Sequence, residues 1–311
     1  MVREQEWGPK RESERVEIKF YGTYYFVQTV NAAVQTGSFG YSFGDHFNEG
    51  LIAYVEPFRR WSALHVFLEY MIDTILVEDL DRAMRAHYVR KSRCSRPEYC
   101  YSDPAWMLGT SLMKSHGYDV RVITDELDKW VEHGTGGCCR DTSYDPSDQP
   151  DWDLWEEVSP DDYYRLVDQL AEECFYVLFA NRSFLRRFHE CIADHIRMID
   201  IVDADSEESR FLRETPNGAA VRRAAIPEWV KRAAFFRERG RCAFCERDLG
   251  GSHSPMNRCQ YDHMVPISHG GLNDVSNIQL LCEDCNNRKG AQIMETSRIY
   301  ERWYPTDRRR S

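Results

Sequence analysis

Two Cys-x2-Cys pairs constrain this chain more than any other feature: RCAFCERDLGG carries Cys242 and Cys245, and LCEDCNNRKG carries Cys282 and Cys285. Two residues between cysteines let both thiolates face one tetrahedral ion without straining the backbone, so the four sulfurs predict one structural Zn2+ closed by two turns. A redox pair needs no second copy. A disulfide framework needs an oxidising compartment, of which a chain with an odd count of eleven cysteines gives no sign. A reducing cytoplasm suits this cysteine usage best.

At 311 residues the chain exceeds one ordinary core, which points to two domains. Its 42% hydrophobic and 13% aromatic content can offset the entropy of ordering, so most of it is expected to be globular. No run of eighteen apolar residues occurs, and MVREQEWGPKRESERVEIKF is not a basic-then-apolar leader, so neither a membrane segment nor export is expected. The formal charge of −11 hides an asymmetry. From Pro216 onward there are 16 Lys and Arg against 11 Asp and Glu, whereas the remainder holds 24 against 40. A basic C-terminal part joined to an acidic larger part points to a local polyanion site.

RVEIKF (Arg15 to Phe20) alternates charged and apolar residues, which predicts a strand extended by YGTYYFVQTV. Trp61, Leu64, Leu68, Ile72, Ile75, Leu76 and Leu80 recur at three- and four-residue steps and predict an amphipathic helix. Between Asp141 and Asp162 nine acidic residues occur with no basic one, broken by Pro146, Pro150 and Pro160, which reads as an irregular surface segment. Ser159 is then a plausible N-cap with Pro160 at the first helical position, opening one long or two abutting helices to about Ile201. DADSEESR and ETPNGAA lack periodicity and place a boundary between Asp203 and Ala220. The expected organisation is a mostly helical acidic domain over 1–205, a linker over 206–225 and a zinc-stabilised domain over 226–311.

The residues enclosed by the cysteine pairs, YDHMVPISHGGLNDVSNIQ, decide whether the zinc domain does chemistry. Asp262 and His263 precede an apolar Met264-Val265-Pro266, consistent with a strand that delivers both side chains. Gly270-Gly271 turns the chain, and a helix is expected to begin at Asn286, with Asn287, Arg288 and Lys289 in its first turn. This order of Cys-x2-Cys, Asp-His-x2-Pro, Gly-Gly, Ser-Asn and Cys-x2-Cys-Asn-x2-Lys-Gly resembles the HNH nucleases of the ββα-metal class, from Arg239 to Gln292.

With a mostly helical N-terminal domain of unknown fold read from periodicity, the chain is expected to be α+β; the resemblance implies a small zinc-stabilised HNH domain that hydrolyses DNA. It implies that His263 is the general base, since neutral imidazole can take a proton from water near neutral pH. It further implies that Asp262 and Asn286 hold a catalytic Mg2+ or Mn2+, and that Asn277 orients the loop around His263. Asn286 stands where the family often has His, and an amide oxygen favours Mg2+ over softer metals. Lys289 and Arg288 at the expected helix start can grip phosphate, with His269 as a further contact, although a solvated helix start and a packed loop histidine are the plainer readings.

RRAAIPEWVKRAAFFRERGR is a basic amphipathic helix candidate whose Arg222, Arg223, Lys231, Arg232, Arg237, Arg239 and Arg241 can track a nucleic-acid backbone. Packing is the expectation for its Trp229, Phe235 and Phe236. His253 and Cys259 read as loop and core residues, and Arg308, Arg309 and Arg310 as a frayed tail. Cys94, Cys100, Cys138 and Cys139 lack a standard ligand spacing and read as free thiols.

RAMRAH (Arg82 to His87) and, more loosely, RSFLRRFH (Arg182 to His189) fit short patterns of HEPN ribonucleases. The leading expectation is an Mg2+-dependent HNH endonuclease acting on DNA, with a protein partner or target read by the N-terminal region, in restriction or phage defence. A non-catalytic zinc-stabilised nucleic-acid-binding module and an N-terminal HEPN-like ribonuclease are the alternatives.

Overall fold

The computed structural model describes residues 12–40, 42–93, 108–121, 160–201, 207–250 and 259–295, with side chains excepted over 12–21 and 80–93. Contacts divide the chain into two compact units, one of residues 1–26 and 69–173 and one of residues 27–68 and 174–311. The architecture is α+β: among the described residues helices dominate, and two small antiparallel sheets lie toward the C-terminus.

The expected strand at Arg15 to Phe20 is instead part of a helix, α1 (Glu12–Thr36). The six-residue alternation loses to a longer helical stripe: Thr23, Phe26, Val30 and Val34, spaced by three and four, are all buried. Two short helices follow, α2 (Phe43–Glu49) and α3 (Leu51–Val55). The predicted amphipathic helix forms as α4 (Ala63–Arg93), with Leu64, Leu68, Ile72 and Leu76 buried along one face. The hydroxyl of Ser62, just ahead of it, accepts from the His65 amide at 3.4 Å.

In the first unit, α5 (Leu108–Ser115) buries Leu112 and Met113. Its Leu112 lies so near Gly22 that a Cβ there would meet the leucine Cδ2 at 2.5 Å. The His116 side chain, closed to solvent, lies 3.6 Å from Glu173, which also accepts from the Thr23 hydroxyl at 2.6 Å. The two abutting helices expected after Ser159 are α6 (Pro160–Phe179) and α7 (Arg182–Arg197). Asn181 separates them, its side chain capping α7 by accepting from the Phe184 amide at 3.1 Å.

In the second unit, α7 buries Phe184, Leu185, Phe188, His189, Ile192, Ala193 and Ile196. Within residues 206–225 the chain forms a hairpin of β1 (Leu212–Thr215) and β2 (Gly218–Val221), paired from Leu212 with Val221 to Thr215 with Gly218. Gly218 has φ +98°, and a Cβ there would sit 2.2 Å from the Arg197 carbonyl oxygen, so only glycine closes this turn against α7. Helix α8 (Glu228–Arg237) leads to the first cysteine pair. Then β3 (Cys259–His263) pairs antiparallel with β4 (Ile278–Cys282), and α9 (Glu283–Lys289) follows directly. Cys242, Ala243, Leu249, Leu280, Leu281, Cys282 and Cys285 form a small core, with Phe235, Phe244, Cys259 and Tyr261 packed against it.

Candidate active site and metal centre

Local backbone bonds shape the first cysteine pair. The Cys242 amide donates to the Arg247 carbonyl at 2.9 Å, and the Glu246 amide donates to the Cys242 carbonyl at 3.0 Å, with Glu246 in the left-handed region at φ +60°. An Ala243 amide bond to the Leu280 carbonyl, 2.8 Å, docks this turn on β4. The second pair uses a strand-to-helix junction: Cys282 ends β4 and stands at the N-cap of α9, and Cys285 follows in the first turn.

The four sulfurs lie within 4.8 Å of one another, and those of Cys245 and Cys282 are 3.7 Å apart. Zinc–sulfur bonds of about 2.3 Å arranged tetrahedrally put sulfurs about 3.8 Å apart, so the donor set fits one zinc. Burial opposes ionisation of Cys242, yet the amides of Cys245, Cys282 and Phe244 aimed at its sulfur bring the thiol down to about 7. Burial and the crowding of the other three sulfurs push Cys285 up. A divalent ion among the four relieves that crowding.

On the opposite end of the same sheet, Asp262 pairs with Gln279 and His263 with Ile278. Successive strand residues face opposite ways, so the acid and the imidazole leave β3 on different faces. His263 is 4% exposed, and its Nε2 has no hydrogen-bond partner among the described residues. Burial lowers its pKa to about 4; the Asp262 carboxylate and the Asn273 side chain pull upward, while Arg223 and Lys289 push down. The ring is therefore neutral at pH 7, with a nitrogen not committed to the fold.

Asn277 is fully buried and spends its whole side chain on the loop after His263. Its Oδ1 accepts from the Val265 amide at 2.9 Å, and its Nδ2 donates to the carbonyls of Val265 at 3.0 Å and Leu272 at 2.9 Å. Its own carbonyl accepts from the Met264 amide at 2.7 Å. Gly271 completes the clamp, because a Cβ there would lie 1.9 Å from the Val265 carbonyl oxygen.

Helix α9 begins at Glu283, three residues earlier than its expected start at Asn286. Cys282 as N-cap explains the difference: the zinc-side turn itself opens the helix. Arg288 and Lys289 consequently occupy the last turn, where no free helical amides accompany them. Lys289 is 1% exposed rather than solvated, and its Nζ lies 2.7 Å from Asp262 Oδ2. Asn286, one turn earlier on the same face of α9, is half-buried. Arg288 is exposed and donates to Cys285 Sγ at 3.5 Å. His269 is exposed, its ring against the Ser268 hydroxyl.

The basic run upstream divides. Arg222, Arg223, Arg232, Arg239 and Arg241 are exposed. The Arg237 side chain is buried, paired with Glu238 at 2.9 Å and bonded to the Ile278 carbonyl. Phe235 packs on the cysteine core and Trp229 lies under the Arg60 guanidinium at 4.2 Å, whereas Phe236, expected to pack, is 75% exposed. An amphipathic stripe places only one face of a helix inward, and Phe236 falls outside it.

Several residues that hold this region have no role in the HNH motif read from the sequence. Arg182 is 3.1 Å from Glu238 and donates to the Ala243 carbonyl at 2.8 Å. His189 is wholly buried against Ser276. Both members of the RSFLRRFH pattern are thus spent on packing contacts. Asp274 caps the turn at Val275–Asn277 by accepting from the Ser276 amide, and Asp-x-Ser in LNDVSN is the one local signal for it. The other residues that the sequence singles out, namely the side chains of Arg82 and His87, Cys94, Cys100, Cys138, Cys139, Ser159, His253 and Arg308 to Arg310, lie outside the described residues, as does the acidic stretch over 141–159.

The family model for HNH endonuclease spans the cysteine core, the clamp and α9. Residues 242–292 match it. The matched segment begins at the first cysteine of the cluster and ends just past Lys289, and it points to a nuclease or nucleic-acid-acting function. No curated protein and no solved structure matches the chain. Among the described residues no helix is long and apolar enough to cross a membrane.

Proposed function

We propose that the chain is an endonuclease that hydrolyses DNA phosphodiester bonds with Mg2+ or Mn2+, leaving 5′-phosphate and 3′-hydroxyl ends. The observation that carries this reading is His263: a buried, neutral imidazole with an unpartnered Nε2, on a strand end held by Asn277. A purely structural zinc module has no need of such a group. His263 accepts the proton of the attacking water, and Asn277 orients it through Met264 and Val265.

Asp262 and Asn286 hold the catalytic ion in this reading. Lys289 engages Oδ2 of Asp262 and leaves the other carboxylate oxygen, and Asn286 shares the face of α9 that reaches β3 through Lys289. Two hard oxygen donors with retained waters suit Mg2+. When bound, the ion supplies positive charge for the scissile phosphate and the departing 3′ oxygen. Zn2+ at the four cysteines keeps a structural role, so Cys285 and Asn286, adjacent in sequence, serve different metals.

Exposed Arg288 and His269 are assigned to phosphate, with Arg222, Arg223, Arg232, Arg239 and Arg241 as a wider basic surface. Lys289 is assigned to Asp262, because its ammonium is buried there. A cytoplasmic restriction or phage-defence role, with the acidic remainder of the chain reading a partner or target, follows by analogy with other HNH domains carried on larger chains.

The test is nicking of supercoiled plasmid with Mg2+ by wild type and by folded, zinc-containing His263→Ala. Loss of the base lowers the rate by about 100- to 10,000-fold. Undiminished nicking by the variant refutes the assignment.

A further inference from the structure

We propose that His189, fifty-three residues ahead of the first zinc-site cysteine and outside the HNH match, is a positioning residue for His263. The inference rests on the reading of His263 as the base. His189 Nε2 lies 2.8 Å from the Ser276 hydroxyl oxygen, and that oxygen lies 2.5 Å from Asp274 Oδ1. Asp274 also accepts from the Ser276 amide at 2.8 Å and, on Oδ2, from the Ala63 amide at 2.8 Å. A carboxylate already receiving two backbone donors accepts a hydrogen bond from the serine hydroxyl as well. The serine oxygen then accepts from His189, which fixes the neutral tautomer with its proton on Nε2. His189 Nδ1 meets no hydrogen-bond partner among the described residues.

The anchored turn, Val275–Asn277, ends at the clamp residue. Asn277 grips Met264 and Val265, the two residues after His263, through its carbonyl and its side chain. Displacing Ser276 therefore displaces the end of β3. Helix α7 follows this loop with residues spaced by four: His189 bonds Ser276, Ala193 backs Gly270 so closely that a Cβ there would sit 2.8 Å from its carbonyl oxygen, and Arg197 donates to the His269 carbonyl at 2.9 Å. Three positions on one helical face thus seat residues 269–276. The Phe58 amide adds a bond to the Asn273 carbonyl at 2.8 Å from the other side. A phenylalanine at 189 keeps an aromatic ring, somewhat larger than imidazole, but leaves the Ser276 oxygen without its donor.

The experiment compares wild type, His189→Phe, His189→Gln, Ser276→Ala and His263→Ala, each checked for zinc content and a cooperative thermal transition. Readouts are kcat and KM for Mg2+-dependent plasmid nicking, and hydrogen exchange of the Met264 and Val265 amides. His189→Phe is expected to lower kcat about 10- to 100-fold, the scale of a catalytic group misplaced by up to 1 Å, with KM unchanged. Exchange at 264 and 265 is expected to quicken, and His189→Gln, which keeps a donor, to recover both. If His189→Phe does not fold, Ser276→Ala carries the same expectation from the other partner.

Wild-type kcat in a folded His189→Phe or Ser276→Ala overturns the proposal, and so does a fall in kcat without faster exchange at 264 and 265. Equal nicking by wild type and His263→Ala overturns the reading of the base instead. The exchange result reports on the clamp in either case.

Discussion

Acid should unfold the second compact unit through histidines that the fold keeps neutral, and His65 isolates the effect. Its ring is stacked between Trp61 at 4.3 Å and Phe175 at 3.9 Å, and only 6% of the residue is exposed. The Ser62 amide donates to its Nδ1 at 3.1 Å, so that nitrogen carries a lone pair. Burial lowers the pKa from 6.5 to about 4. Because the folded value lies below the unfolded one, the unfolded chain binds the extra proton first, and stability falls as pH drops through the window from 6.5 to 4.

At about 1.4 kcal/mol per pKa unit the whole window costs about 3 kcal/mol, and the step from pH 7.5 to 5.5 about 1.4 kcal/mol. His189, lowered to about 3 by burial, with His263 and Arg237 adding to it, contributes a similar step with the same sign. Buried Asp274 acts oppositely, since burial raises its pKa and favours the folded state as acid protonates it. Comparing variants cancels that term and any loss of zinc common to both proteins. Denaturant unfolding of wild type and His65→Phe between pH 7.5 and 5 is the assay, with the variant expected to show the shallower decline by about 1.4 kcal/mol at pH 5.5. Parallel stability curves for the two proteins refute the argument that His65 is held neutral by burial.

Gly271→Ala forces a methyl group against the Val265 carbonyl, so a loss of about 1–3 kcal/mol in thermal or denaturant unfolding is expected, together with reduced nicking. Gly44→Ala is the contrast, since nothing lies within 4 Å of a Cβ there and its φ is not positive; a Gly271 effect no larger than that of Gly44 contradicts the close approach. Metal analysis is expected to find one zinc in the HNH segment of wild type and none in Cys282→Ser, whose segment loses its protection from proteolysis. Folded wild-type protein without zinc rejects the four-cysteine zinc site.

Much of the site was legible because it is local. Cys242 with Cys245, and Cys282 with Cys285, declare a tetrahedral donor set by spacing alone, and Asp262, His263 and Asn277 fall in a recognisable order. The misreadings came where short-range patterns compete with packing. Arg15 to Phe20 alternates like a strand, yet burial of Phe26, Val30 and Val34 makes the whole stretch helical. A helix was expected to begin at Asn286, just after the second cysteine pair, but it begins at Glu283 with Cys282 at the N-cap.

The sequence by itself determined which atoms are present for the proposed metal and proton chemistry, since ligand type and spacing are properties of a few consecutive residues. Tertiary structure decided the state of those atoms. His263 is neutral because the fold removes it from water, and Lys289 answers Asp262 because α9 packs across β3. The turn that leads to Asn277 is pinned by His189 from 87 residues away and, through Asp274, by the Ala63 amide from 211 residues away. Burial and long-range hydrogen bonds depend on which distant segments meet, and no local pattern of residues encodes that meeting.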